Sequence, residues 1–367
     1  MKHSFLLFLL LIGAASWGAG QGVGERAKKA LGGDAIAQIS LGESYRLGLG
    51  VDQNYAEARR FYTLAAAQGA AQAQFALAEM NRFGEGAAPD YAEAVRLYKL
   101  AAVQGLPEAQ FGLGVMYDNG QGVARDYKEA VRWYKLTAEK GMADAEYNLG
   151  LMYAEGKGVA QDFAEAALWY RQAADHRSLP EAQYNLGVLY DHGQGVGQDF
   201  RQAALWYKLA ADQGHMEAQF NLAALYMNGQ GVAQDYRESA RWYKLAAEQG
   251  QSEAEYNLGV LYASGQGVAR DINEAARWYR LAAEQGHTDA GFNLGALYTN
   301  GLGVPKDLVE AYRWFTIAAN QGDQDSVKAK ERVAARMSPE ELQRSRALAA
   351  AWTPCKSRVE CDARAGR

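Results

Sequence analysis

A repeat runs through most of this chain, and its period limits the possible folds more than any other sequence feature. The stretch 182–214 is the clearest copy. An aromatic residue near the start of the copy recurs at intervals of 36, 36, 37, 36, 36 and 36 residues, and Ile39 extends the series backwards by 36. These aromatic residues are Phe75, Phe111, Tyr147, Tyr184, Phe220, Tyr256 and Phe292. Periods of about 20–50 residues are typical of stacked repeat arrays, so the sequence predicts eight copies of one unit.

Each copy predicts two helices joined by a glycine turn. Apolar side chains such as Ala182 and Leu186 have helical spacing, and the first helix has so little polar face that neighbouring copies must bury it. Asp199 and, three residues later, Gln202 predict a capping box at the start of the second helix, which ends at the C′ glycine Gly214. The same pairing recurs as Asn54/Glu57, Asp90/Glu93, Asp126/Glu129, Asp162/Glu165, Asp235/Glu238, Asp271/Glu274 and Asp307/Glu310.

A glycine lies inside most of the first helices, where it is less favourable than alanine by about 1 kcal/mol. It is Gly187 in the clearest copy, whereas copies two and six have Ala78 and Ala223. Because only small residues occur at this position, we predict that another helix backbone crosses closely there.

The repeated residues follow the pattern A-x-Y/F-N-L-G-x-L/M-Y, then G-x-G-V, then D-Y/F-x-E-A-x-x-W-Y-x-x-A-A-x-Q-G. Over about Ala35 to Gly322 this pattern resembles the Sel-one-like repeat (SLR) family, a relative of the tetratricopeptide repeats with a longer turn. We therefore predict an all-α protein, a right-handed α/α superhelical solenoid of eight helix-pair repeats with C-terminal capping helices. The resemblance implies an adaptor or scaffold, of the kind found in bacterial envelopes and the eukaryotic secretory pathway.

Shorter segments flank the repeats at 35–322. Residues 1–20 have a basic start, an apolar run over Phe5–Ile12 and small residues after it, which predicts a signal peptide and export to the periplasm or the cell exterior. Residues 21–34 are small and charged and predict a linker. Residues 323–352 predict the polar capping helices that a solenoid needs over its last apolar surface. No other apolar stretch is long enough to cross a bilayer.

The tail, 353–367, holds the two cysteines of the chain, Cys355 and Cys361. In an exported protein they either form a small disulfide loop or remain free thiols in a disordered tail. We expect a loop this short and terminal to matter little to the array.

Charge and motif content argue against several classes of function. Residues 323–367 contain ten Lys and Arg against seven Asp and Glu, which leaves a net charge of −8 on the rest of the chain. An acidic array disfavours nucleic-acid partners. The chain has no S-x-x-K, K-T-G or H-E-x-x-H motif, and His176, His192, His215 and His287 are interpreted as surface loop residues. We therefore predict no cofactor, no metal site and no catalytic residue.

Two rows of side chains are candidates for binding. One row consists of asparagines in the first helices, Asn148, Asn185, Asn221, Asn257 and Asn293. Asparagine is unfavourable inside helices, so these residues either form a ladder between copies or hold the backbone of an extended peptide, with Gln183, Gln219 and Glu255 setting specificity. The other row consists of tryptophans in the second helices, which are interpreted as core rather than as a carbohydrate or peptide platform.

The sequence as a whole favours an exported, non-enzymatic scaffold whose concave surface binds a protein or peptide. The alternative is a cell-wall-linked protein, either a β-lactamase-like enzyme or a peptidoglycan or glycan binder. Some members of the resembled family have been linked to β-lactams, and they carry a cysteine pair in each repeat, which these repeats lack.

Overall fold

The computed structural model describes residues 23–365, which are almost entirely helical and include no strand. The helices are α1 Val23–Leu31, α2 Ala35–Leu47, α3 Tyr55–Ala67, α4 Ala71–Phe83, α5 Tyr91–Val103, α6 Pro107–Asn119, α7 Tyr127–Ala138, α8 Ala143–Glu155, α9 Phe163–Arg177, α10 Pro180–His192, α11 Phe200–Asp212, α12 Met216–Asn228, α13 Tyr236–Glu248, α14 Ser252–Ser264, α15 Ile272–Glu284, α16 Thr288–Asn300, α17 Leu308–Asn320, α18 Gln324–Ala334, α19 Pro339–Ala350 and α20 Arg358–Ala365. The all-α prediction is confirmed. None of these helices combines the length and the apolar character that a bilayer crossing requires. The predicted signal peptide, 1–20, lies outside the described residues.

The eight predicted copies are helix pairs. The even-numbered helices α2 to α16 are the first helices, and each packs on the odd-numbered helix that follows it. The chain divides into two compact units, of which unit one ends at Arg177 and unit two begins at Ser178. Within each unit, the second helix of one copy also packs on the first helix of the next. Each copy thus completes the core of its neighbour, as in an α solenoid.

The predicted caps of the second helices form, but the predicted capping boxes are only half present. Asp199 accepts hydrogen bonds from the backbone N–H groups of Arg201 and Gln202. Its own N–H donates to the carbonyl of Tyr190 in the first helix, at 3.0 Å, so no glutamate or glutamine at N3 is needed to satisfy it. In six of the seven copies with glutamate at N3, that side chain instead pairs with the arginine three residues later, as Glu274 does in copy seven; copy four has leucine there.

The second glycine of the turn lets successive copies within a unit approach closely. Gly231 has a φ of +69°, and a Cβ at this position would clash with the carbonyl of Phe200, at the start of the preceding second helix. The turn of one copy therefore packs directly on the helix start of the copy before it, which only glycine permits.

The predicted linker at 21–34 contains helix α1. Ala30 of this helix is buried in a cluster with Leu41 and Phe61 of copy one, and its carbonyl accepts a hydrogen bond from Gln38 Nε2 at 3.0 Å. A segment whose composition suggests a linker is thus ordered by tertiary contact, because the first copy needs a cover for its outer apolar side.

The C-terminal helices cover the other end of the repeats, as predicted for 323–352. Helices α18 and α19 both pack on α17. Ser338 and Glu341 form a complete capping box at the start of α19. Ser345 is buried in the same helix and donates to the carbonyl of Val309 at 2.7 Å. Beyond this cap, Cys355 and Cys361 form a disulfide, and the tail continues into α20.

Candidate partner-binding face

Each first helix of unit two leaves three side chains half-exposed at matching positions: an aromatic ring, the asparagine after it and an aliphatic side chain three residues further on. We call these twelve residues the first-helix face. They are Tyr184, Asn185, Val188, Phe220, Asn221, Ala224, Tyr256, Asn257, Val260, Phe292, Asn293 and Ala296. Each aromatic ring packs against an aromatic ring of its own second helix, with centroids 5.6–5.9 Å apart. The core thus fixes one side of the ring and leaves part of it accessible.

Buried tyrosines of the second helices reach this face from inside the core. A Cβ added at Gly187 would lie 2.7 Å from the ring of Tyr207, and the hydroxyl of Tyr207 donates to Asp191 Oδ2 at 3.0 Å. The same glycine–tyrosine contact joins Gly42 to Tyr62, Gly114 to Tyr134, Gly150 to Tyr170 and Gly259 to Tyr279. The small residue therefore makes room for a tyrosine ring, and the prediction of a crossing helix backbone is wrong.

The asparagines link these tyrosines to the next copy. Burial and the charge of Asp191 raise the pKa of Tyr207, and the amide of Asn221, in the next copy, opposes that rise. The same amide opposes the rise in the pKa of Tyr184. Asn293 has this effect on the pKa of Tyr256 and Tyr279, and Asn148 has it on that of Tyr134 in unit one. These asparagine amides therefore lie beside tyrosine hydroxyls of the preceding copy, and we call this row of pairs the ladder.

The ladder is not uniform, because its tyrosines are not. Asn185 and Asn257 are half-buried at the same helix position as Asn221. Copy six has Phe220 where copy five has Tyr184, so Asn257 has no counterpart of the hydroxyl that Asn221 meets on Tyr184. The amide of Asn257 accordingly has more hydrogen-bonding capacity left for a ligand than the amide of Asn221.

Gln183, Gln219 and Glu255 do not belong to the first-helix face, and this corrects the prediction that they set specificity. They are 3%, 4% and 0% exposed. Each accepts a hydrogen bond from the glutamine that ends its own second helix, at 2.7–2.8 Å. Position 183 precedes the accessible aromatic residue by one and therefore points between the helices, where a side chain already bonded cannot select a ligand.

A row of exposed carboxylates borders the first-helix face. One lies in the first turn of each first helix of unit two, and the four are Glu181, Glu217, Glu253 and Asp289. Glu217 adds to the effect of burial in raising the pKa of Tyr184, and Asp289 does the same for Tyr256. This row is not among the predicted binding residues, although an acidic residue three positions before the aromatic one is visible in copies three to eight.

Two of the histidines that were interpreted as surface loop residues have structural roles. His215 and His287 are N-caps of first helices, and their rings accept hydrogen bonds from the N–H groups of Ala218 and Ala290. His215 stacks on Tyr184 with centroids 4.6 Å apart, and burial lowers its pKa. Within residues 23–365, no group of three or more histidine, cysteine or acidic side chains is placed to hold a metal ion.

The tryptophans of the second helices are mainly packing residues. Trp242, Trp278 and Trp314 are buried, as the core interpretation predicts. Trp133 and its counterparts in copies four and five are half-buried, and Arg132 covers the ring of Trp133 at 4.5 Å from its centroid. An open row of stacking platforms is therefore not formed by these side chains.

Stacked helix pairs that share a core and present one row of half-exposed side chains define a helical-repeat protein of the tetratricopeptide-like class. Comparison with protein families matches the Sel1 repeat eight times, at 35–69, 71–106, 107–142, 143–178, 180–215, 217–251, 252–287 and 288–323. The chain belongs to the Sel1 repeat family. No curated protein matches it.

Two solved structures are similar over most of the chain. One is a protective antigen of uropathogenic Escherichia coli with an SLR fold, which is 37% identical with a TM-score of 0.83; the match covers 90% of this chain and 72% of that one. The other is a Sel1 repeat protein from Oxalobacter formigenes, 32% identical with a TM-score of 0.65, over 88% of this chain and 93% of that one.

Proposed function

We propose that this protein is an exported, non-enzymatic scaffold that binds an extended segment of a partner protein along its first-helix face. Sel1 repeat proteins typically mediate protein–protein interactions. One observation carries the finer proposal. The same set of an aromatic ring, an amide and an aliphatic side chain is half-exposed in four successive copies. Aromatic and aliphatic groups provide apolar contact, and the amide of Asn257 can bond to a peptide backbone.

The carboxylate row defines the chemistry of the partner. Glu181, Glu217, Glu253 and Asp289 place one exposed negative charge beside each copy of the face. A partner segment with alternating apolar and basic side chains complements such a surface, and the attraction speeds association and discriminates against acidic segments. Because exposed charges are screened over about 8 Å at physiological ionic strength, binding should weaken as salt rises.

Export rests on the first twenty residues. The apolar run Phe5–Ile12 and the small residues after it favour a cleaved signal peptide. Mass spectrometry of the protein recovered from cells tests this directly, because a mature chain that still starts at Met1 would contradict export by a cleaved signal.

Capture of a partner from an envelope extract tests the binding face. Asn257→Ala and Val260→Asp should each reduce the captured partner at least tenfold, since both alter accessible groups of the face. Leu209→Asp is the matched control, because Leu209 is an exposed residue of a second helix in the same unit. An equal loss of captured partner with Leu209→Asp, or full capture of the partner by Val260→Asp, would contradict the proposal that partners bind the first-helix face.

The same purified protein tests the non-enzymatic part of the proposal. It should neither hydrolyse a chromogenic β-lactam nor sediment with insoluble peptidoglycan. Turnover above that of a heat-unfolded sample would make the protein an enzyme, and sedimentation would make the cell wall its partner.

A further inference from the structure

The C-terminal tail folds back onto copies six and seven instead of extending from the cap. The N–H of Cys355 donates to the carbonyl of Glu284, the last residue of α15, at 2.9 Å. The disulfide partner Cys361 is 1% exposed and lies in one core cluster with Trp278 and Leu281. This contact corrects the expectation that the cysteine loop matters little to the array.

A change at the buried glutamine position of the first helices explains why the tail docks here. In copies one, three and six, the side-chain amide of the buried glutamine donates to a carbonyl of the preceding helix. These bonds are Gln38 to Ala30, Gln110 to Ala102 and Gln219 to Ala211, at 3.0–3.2 Å. Copy seven has Glu255 at this position, and the matching carbonyl, that of Ala247, accepts its hydrogen bond from the tail instead.

Arg358 of the tail supplies the missing donor. Its Nη1 donates to the carbonyl of Ala247 at 2.8 Å. Ala247 occupies the position in copy six that Ala211 occupies in copy five. The same nitrogen bonds to the carboxylate of Glu255. One guanidinium thus satisfies both the carbonyl of Ala247 and Oε1 of Glu255, whose Oε2 already accepts from Gln285, and a lysine could not do this with the same fixed geometry.

A second buried acid and an apolar position complete the contact. Nη1 of Arg364 lies 3.7 Å from Oε2 of Glu284. Glu284 is buried, and its carboxylate also accepts a hydrogen bond from Trp352 Nε1 at 3.2 Å. At one position of the second helices, Leu209 is 39% exposed whereas Leu281 is 1% exposed. Copies six and seven therefore present an apolar patch with two carboxylates, and the tail answers with apolar surface and two arginines.

We propose that this patch is a docking site for an arginine-bearing segment, that the chain's own tail occupies it as a releasable latch, and that the Cys355–Cys361 bond holds the latch closed. The bond ties the segment that is hydrogen-bonded to α15 to the helix that carries both arginines, so it restricts the tail to conformations close to the docked one. Without it, the tail must lose more conformational entropy to dock.

Breaking the Cys355–Cys361 bond requires a two-electron reduction. A thiolate of a dithiol attacks one sulfur of the disulfide and forms a mixed disulfide, and its second thiol then displaces the cysteine. The products are two cysteine thiols and the cyclic disulfide of the reductant. Because Cys361 is buried while the tail is docked, the rate of this reduction also reports how often the latch opens unaided.

Limited trypsin digestion of the full-length protein tests the latch. The bond after Arg364 is the reporter, because it lies outside the disulfide loop. With dithiothreitol, its cleavage should accelerate at least tenfold while the helical circular dichroism is unchanged. Equal cleavage of the oxidised and reduced proteins would overturn the proposal, because the tail would then be either free in both states or docked in both without help from the disulfide.

A variant pair separates the docking contact from the disulfide. Arg358→Ala keeps both cysteines, and it should accelerate both cleavage after Arg364 and reduction of the disulfide at least tenfold. Arg344→Ala removes an exposed arginine of the cap and should change neither rate. If Arg358→Ala behaves like Arg344→Ala, the Glu255 contact does not hold the tail, and the proposed docking site is wrong.

Discussion

At the scale of single residues, the buried tyrosine hydroxyls explain most of the polar pattern of the repeats. Tyr207 occupies the space above Gly187, bonds to Asp191 of its own copy and meets Asn221 of the next copy. A hydroxyl brought this far into the core requires partners, because a buried polar group without a hydrogen bond is destabilising by about 1–3 kcal/mol. The asparagine that is unfavourable for its helix is therefore favourable for the array.

The ladder predicts different effects for two identical substitutions. Asn221→Ala should lower the free energy of unfolding by about 1 kcal/mol, because it removes the partner of Tyr184 and Tyr207. Asn257→Ala has the same effect on helix propensity, but Asn257 follows a copy that has Phe220 in place of a tyrosine. The decrease in the free energy of unfolding should therefore be less than half as large. Urea denaturation of both variants measures the difference. Equal losses would contradict a ladder that depends on the tyrosines.

Glu255 predicts a pH dependence of stability. Burial raises its pKa to about 8, although the charge of Arg358 and a hydrogen bond from Gln285 oppose the rise. The unfolded chain has a glutamate pKa of about 4.3, so the folded state binds the extra proton between these values. The contribution of this proton to the free energy of unfolding is therefore fully present below about pH 4.3 and is lost as the pH rises to about 8.

Glu255→Gln should remove this part of the pH dependence, because copy six already has glutamine at the same position. Denaturation of the wild type and the variant at several values between pH 5 and pH 8 measures it. Glu248→Gln is the control, since Glu248 is exposed and its loss should leave the wild-type profile. If the curves of the wild type and Glu255→Gln run parallel, Glu255 is not the group that titrates.

Residue positions were easier to predict than residue roles. The recurrence of Asn221 and its counterparts is visible in the sequence, which is compatible with either a ladder between copies or a peptide-binding row. Gln183 and Gln219 were placed on the wrong side of the helix because a first helix that is apolar nearly all round gives no signal of its accessible side. The glycine contact was assigned to a helix backbone because sequence shows that space is needed, but not which group fills it.

At the scale of helices, the glycine of the first helix gives the sharpest test of packing. Gly187→Leu should destabilise the protein by about 1–3 kcal/mol, because the larger side chain overlaps the ring of Tyr207. Gly187→Ala should stay within about 1 kcal/mol of the wild type, because its gain in helix propensity offsets the closer contact. Copies two and six already accommodate Ala78 and Ala223.

Thermal denaturation of the two Gly187 variants measures this prediction. A melting temperature for Gly187→Leu that matches the wild type would show that the ring of Tyr207 does not fill this space. Equal destabilisation by both variants would instead show that even one extra carbon cannot be accommodated in copy five.

The helices of the repeats were predictable because three signals agree: apolar spacing, acidic N-caps and C′ glycines in register across eight copies. Helix α1 was not predictable, because its segment is short, small and charged, and its order depends on burial of Ala30 against copy one. The docked tail was missed for the same reason. The role of Arg358 depends on its contact with Glu255, which lies more than a hundred positions away in the sequence. The residues around Arg358 therefore do not indicate that role.

At the scale of the whole molecule, the repeat period determines the fold and the rows of half-exposed side chains determine the proposed function. Within each unit, successive copies share their cores, because the second helix of one copy packs on the first helix of the next. The chain divides after Arg177, where copy four has Ser178 in a left-handed conformation, with a φ of +51°, in place of the usual glycine. Each unit is thus a run of four mutually dependent copies.

Site-specific photo-crosslinking in cells tests whether a partner protein binds the first-helix face. A photoreactive amino acid is placed at Val260, on the first-helix face, or at Leu209, on a second helix of the same unit. The proposed function predicts a defined protein adduct from position 260 that disappears with Asn257→Ala and is absent from position 209. An adduct from position 209 alone would contradict the claim that partners bind the first-helix face.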